Sequence, residues 1–172
     1  NPIIVTSAPE GSRVVIISDA QIPFEDRSLI ASTVGKEGLV EKFLKSYDPN
    51  YLFINGDWLD CYSVSDFNKN PTRWFNLSHE IKLVSNTLEY FRKILPKCKI
   101  YYVDGNHEER LWRSYVSICQ KDSKVSELLD SLNVRDITTR NLLHLPDLGI
   151  EWQPYGGYVD FLGFIITHGS LL

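Results

Sequence analysis

Residues 51–60 read YLFINGDWLD. A strand-forming, mostly apolar run enters a glycine and then meets two aspartates three positions apart. An unbroken apolar run of this length suits a strand covered on both faces, as in a parallel sheet flanked by other layers. Packing gives such a strand no reason to end on carboxylates, whereas ligands of open α/β sheets bind at the carboxyl ends of the strands. The same design recurs along the chain. RVVIIS (13–18) ends on Asp19, KIYYV (99–103) runs through Asp104 and Gly105 to Asn106 and His107, and FIIT (164–167) ends on His168. These four polar strand ends are expected to share one site.

Helical patterns separate the strands. Residues 28–47 read as a helix with Val40, Phe43, Leu44 and Tyr47 on one face, weakened by Gly35 and Gly38. Ile81, Val84, Leu88, Phe91 and Leu95 form a 3–4–3–4 stripe that Pro96 closes, and 66–76 reads as an irregular loop. Further helices are predicted over 107–119 and 124–133. From about residue 148 the pattern changes to short aromatic and β-branched runs with glycine turns, so the sheet is expected to turn antiparallel late in the chain. The fold class is α/β and layered, in one domain over 1–172, with 1–12 as an N-terminal extension.

The chain carries 22 acidic and 18 basic residues, a formal net charge of −4. That excludes a general attraction to nucleic acid but leaves room for a local basic patch. Cys61, Cys98 and Cys119 form no CxxC pair, which argues against a disulfide framework and a thiolate zinc site. No run has the length of a transmembrane helix, so a cytoplasmic protein without membrane contact is expected. The chain begins at Asn1 and contains no methionine, which suggests a processed chain or part of a longer one.

Two carboxylates, an amide oxygen and an imidazole make a mixed oxygen and nitrogen donor set. It suits Mn²⁺, Mg²⁺, Fe²⁺ or Zn²⁺ better than thiolate-seeking ions. Glycines at 56, 105 and 169 permit tight turns and close backbone approach. Read singly, Asp19 is a turn carboxylate, Asp57 a helix cap and Asn106 a left-handed turn residue. Only together do they read as ligands.

SDAQ (18–21), GDWLD (56–60), GNHE (105–108) and THG (167–169) resemble the D-x-H, G-D-x-x-D, G-N-H-[DE] and lone-H blocks of the calcineurin-like metallophosphoesterase family. The resemblance spans residues 13–169. It implies a four-layer α/β/β/α sandwich with mixed sheets around two divalent ions, with Mn²⁺ as the expected metal. Carried over, Asp19 and Gln21 would ligate the first ion, Asp57 would bridge both, and Asn106 and His168 would ligate the second. His107 would protonate the leaving oxygen and Asp60 would orient its imidazole. Arg110, which no family block covers, is expected either to bind substrate phosphate or to make a surface ion pair. The implied reaction is hydrolysis of a phosphodiester or phosphomonoester, with a nucleic acid or nucleotide as the favoured substrate class.

Two positions depart from the family pattern. Gln21 stands where the family has a histidine, a neutral and weaker donor to borderline metals. The closing G-H-x-H block is missing, and its histidines are expected beyond residue 172, with the fold truncated at its C-terminus. These departures support the alternative of a non-catalytic binding or scaffold module. His107 with Asp60 argues against it. A D-x-D phosphatase is excluded because DAQ lacks the second aspartate.

Overall fold

The computed structural model describes residues 1–24, 38–70, 72, 76–131 and 137–169. Four strands form one parallel sheet in the order β2 (Val14–Ile17), β3 (Tyr51–Asn55), β4 (Lys99–Val103), β5 (Ile150–Gln153). Val15 pairs with Leu52, Leu52 with Ile100 and Ile100 with Ile150, all parallel. This register lines up the carboxyl ends of β2, β3 and β4.

Alternation along the strands splits the core in two. Leu52, Ile54, Ile100 and Tyr102 face the helical side, where they pack with Leu44, Val84, Leu88 and Phe91. Tyr51, Phe53, Tyr101 and Val103 face the other way, onto Val159, Phe161 and Ile166 of a second sheet. Phe53 stacks on Tyr101 at 4.8 Å and meets the edge of Phe161 at 5.4 Å. The apolar run of β3 thus has a cause: every residue from Tyr51 to Ile54 is buried, on alternate faces.

The second sheet has the order β1 (Ile3–Val5), β6 (Val159–Phe161), β7 (Phe164–Ile166), with β1 parallel and β7 antiparallel to β6. Two expectations are corrected here. Residues 1–12, read as an extension, supply a strand of this sheet. The late antiparallel strands do not extend the first sheet; only β5 does, in parallel, while β6 and β7 build the opposing one. The described residues build three of the four expected layers, helix, sheet and sheet. Ile4 and Ile165 are exposed on the second sheet.

The described helices are α1 (Leu39–Tyr47), α2 (Leu77–Ile94), α3 (Asn106–Lys121), α4 (Ser123–Ser131) and α5 (Thr139–Leu142). The stripe read for α2 holds, with Val84, Leu88, Phe91 and Leu95 buried and Ile81 packed at the margin. The Asn76 side chain accepts from the amide of His79 and caps this helix. The face read for α1 holds in part. Leu44 is buried and Val40 packs beside it, but Phe43 and Tyr47 stack on each other at the surface, and the other buried residue of the helix is Glu41. Residues 28–37 of that expected helix lie outside the described residues. No helix among the described residues is long and apolar enough to cross a membrane.

Candidate metal centre

Beyond β2 and β3 the two chains leave the sheet together. The amide of Asp19 donates to the Gly56 carbonyl at 3.0 Å, that of Gln21 to Asp57 at 2.9 Å and that of Ile22 to Trp58 at 2.9 Å. The Asp60 amide returns a bond to Ile22 at 3.0 Å. Asp19, Gln21 and Asp57 all adopt left-handed backbone, with φ of 58°, 49° and 52°. Non-glycine residues occupy this region rarely, and such outliers gather at functional sites.

Glu108 holds the second loop in place. Its Oε1 accepts from the amides of Trp58 (2.8 Å) and Leu59 (2.9 Å) and from the Tyr102 hydroxyl (2.8 Å). Its Oε2 accepts from the amides of Asp57 (3.0 Å) and Gly105 (2.8 Å). One buried carboxylate therefore satisfies the loop that carries Asp57 and the N-cap of α3. In the sequence Glu108 was marked only as the last residue of the GNHE block. Its sequence signal was the glutamate three residues after an N-cap, as in a capping box, beside a loop whose buried amides need an acceptor.

Glycine is required twice. A Cβ on Gly56, whose φ is +78°, would sit 2.2 Å from Cγ of His168. A Cβ on Gly105 would sit 2.1 Å from Oδ1 of Asp57. Both contacts are far inside van der Waals distance, so these glycines make the space in which His168 and Asp57 meet.

One ligand atom each from Asp19, Asp57 and His168 lie within 4.8 Å of one another. Asp57 is buried, His168 half-buried and Asp19 exposed. His168 Nε2 is 3.5 Å from Asp57 Oδ1, and its Nδ1 donates to the Asn55 carbonyl at 2.8 Å. A backbone carbonyl on one ring nitrogen fixes the tautomer and leaves the other free for a cation, as in metal-binding histidines. Two carboxylates and an imidazole converging on one point fit a divalent ion.

His107 lies on the other side of Asp57. Its amide donates to Asp57 Oδ1 at 3.0 Å, and its Nε2 is 3.6 Å from Asp57 Oδ2. Its Nδ1 is 3.2 Å from Asp60 Oδ1. The Asp60 carboxylate, and secondarily the Asp57 charge, raise the imidazole pKa above its ordinary value against the opposing effect of burial.

The remaining expected residues occupy different places. Gln21 is half-buried and joins the site through its backbone, where its amide holds the Asp57 carbonyl. Asn106 opens α3 instead of ending a strand, and its exposed side chain lines a groove with Arg110. Arg110 Nη1 donates to the Asp60 carbonyl at 3.0 Å. Cys61 is buried, and burial followed by the Glu108 charge pushes its thiol up, which leaves it inert as a nucleophile.

Glu80 of α2 is a second carboxylate that the sequence reading did not single out. It is fully buried, and desolvation first and the Asp60 charge second raise its pKa to about 7.

A family model described as calcineurin-like phosphoesterase matches residues 12–171. No curated protein and no solved structure matches the chain significantly.

Proposed function

The chain belongs to the calcineurin-like phosphoesterase family, a family of metal-dependent phosphoester hydrolases, and from that premise we propose that it hydrolyses a phosphodiester of a nucleic acid or nucleotide with two divalent ions, Mn²⁺ by preference. The carrying observation is the double-sided setting of Asp57, with His168 Nε2 at 3.5 Å from one oxygen and His107 Nε2 at 3.6 Å from the other. Asp19, Gln21 and Asp57 would hold the first ion, and Asp57, Asn106 and His168 the second. When bound, the ions supply Lewis acidity and neutralise phosphoryl charge.

The side chains supply the rest. Asp60 favours the protonated form of His107 and turns its Nδ1 inward, so a proton on Nε2 faces the side of the site occupied by Asp57. His107 gives that proton to the leaving oxygen as general acid. Arg110, tethered through the Asp60 carbonyl, orients a non-reacting phosphate oxygen. The Asp60 unit therefore positions both the acid and the phosphate anchor.

The experiment is metal analysis of the purified chain combined with turnover of a generic bis-aryl phosphate at varied Mn²⁺. The reading expects saturable Mn²⁺-dependent hydrolysis and more than one ion bound per chain at saturation. Less than one ion per chain with no turnover would refute it, and would favour the scaffold alternative that Gln21 suggests.

A further inference from the structure

We propose that the face of α3 beyond the metal centre is a track for single-stranded nucleic acid, so that the substrate is a polynucleotide and not a free nucleotide. This rests on the phosphodiesterase reading above. A groove of about 510 Å³ starts at Asn106 and Arg110 and runs along α3 past Arg113 and Ser117 to Lys121. Phe67 and Asp66 also line it, with Phe67 beside Arg110.

Three features select the occupant. The first is charge: among the described residues three cations and one carboxylate line the groove, in a chain whose net charge is −4, so the positive character is local to this face. Arg113 is also paired with Glu109, one turn earlier on the helix. A surface pair of this kind is weak and gives way to a phosphate.

The second is length. From Arg110 to Lys121 the helix rises about 16 Å at 1.5 Å per residue. That matches four to five stacked nucleotides at about 3.4 Å each. A mononucleotide would reach only the first cation. The third is Phe67, which is 77% exposed and lies under the Arg110 guanidinium at 5.8 Å from the ring centre. An exposed ring beside a backbone-binding cation is the arrangement on which unpaired bases stack. The scissile phosphate then lies at the Asn106 end and the flanking strand runs toward Lys121.

The test is fluorescence anisotropy of a hydrolysis-resistant phosphorothioate dT 12-mer with the Mn²⁺-loaded chain, as a function of salt. With Arg110, Arg113 and Lys121 each neutralising one phosphate, affinity should fall about 18-fold between 50 and 200 mM salt. In Arg113→Ala/Lys121→Ala it should fall only about threefold over the same range. Arg113→Lys/Lys121→Arg should restore the steeper dependence, which separates charge from folding. Phe67→Ala should weaken the 12-mer and leave an abasic 12-mer unaffected. Absence of binding at 50 mM salt, a slope unchanged by the double alanine variant, or equal affinity for dextran sulfate would overturn the track. Hydrolysis of the bis-aryl phosphate without 12-mer binding would sink the track alone, and binding without hydrolysis would sink the phosphodiesterase reading alone.

Discussion

Glu108→Gln is nearly isosteric and changes which groups can accept. A glutamine whose oxygen takes the Oε1 position still serves the amides of Trp58 and Leu59 and the Tyr102 hydroxyl. Its NH₂ then faces the amides of Asp57 and Gly105, donor against donor. Two charge-assisted bonds are lost, each contributing roughly 1.5–3 kcal/mol, so folding stability should fall by roughly 3–6 kcal/mol. Reversing the amide strands the amides of Trp58 and Leu59 instead, while the Tyr102 hydroxyl can turn to accept from the NH₂, so the loss is of similar size. A loss of this size is a large share of a domain's total stability, and it acts where Asp57 leaves β3. The assay is urea denaturation with and without saturating Mn²⁺, together with a metal titration. The expected result is a lower midpoint at unchanged slope, with at least tenfold weaker Mn²⁺ binding. A stability loss below about 1 kcal/mol with unaltered Mn²⁺ affinity would refute the assignment of Glu108 as the loop's organiser.

His107→Ala should cut kcat by about 10²–10⁴ while Mn²⁺ binding survives; equal loss of metal would contradict its role as acid. Asp60→Asn should move the alkaline limb of the kcat/KM profile to lower pH, since the Asp60 carboxylate is the main cause of the raised imidazole pKa; an unmoved limb would assign that titration elsewhere. For Glu80 the folded pKa of about 7 lies above the ordinary carboxyl value of 4.5, so the folded state holds a proton that the unfolded chain releases. Stability should therefore decline as pH rises from 4.5 to 7, by up to about 3 kcal/mol from this group. In denaturation at pH 5 and pH 8, Glu80→Gln should remove that part of the decline, and an equal decline in both proteins would contradict it.

What could be read from the sequence follows from the range of the forces involved. Strands β2, β3 and β4 were legible because burial on both faces writes a continuous apolar run, and α2 because one buried stripe fixes its period. Asp19, Asp57 and His168 were legible as a set because each follows a strand by two residues. The partition into two sheets was not, since the period of β6 and β7 is the same whether they extend the first sheet or oppose it. Their destination depends on Tyr51, Phe53 and Tyr101 needing apolar cover on the far face. Glu108 was hidden for a related reason. Four of the five donors to its carboxylate are backbone amides, which have no residue code, and three of them arrive from a loop fifty positions away. The packing of α1 misled because Phe43 and Tyr47 satisfy each other and Arg13 at the surface.

The origin of His168 has a physical consequence for the site. Asp19 and Asp57 extend from neighbouring strands of the first sheet, but His168 follows β7 of the second. The candidate ligand cluster of Asp19, Asp57 and His168 therefore exists only while the sheets are docked, and the docking contacts are the aromatic layer of Phe53, Tyr101 and Phe161 with Ile166. Gly56 and Gly105 let the join close, since a methyl group on either would separate His168 from β3 or Asp57 from α3. Binding and docking are then one equilibrium. An ion at a hundred times its dissociation constant adds about 2.7 kcal/mol to the folded state, comparable to burying one large apolar side chain at about 1.5–3 kcal/mol. Loosening the aromatic layer should weaken metal binding without touching a ligand, and metal should in turn tighten the layer by the same free energy.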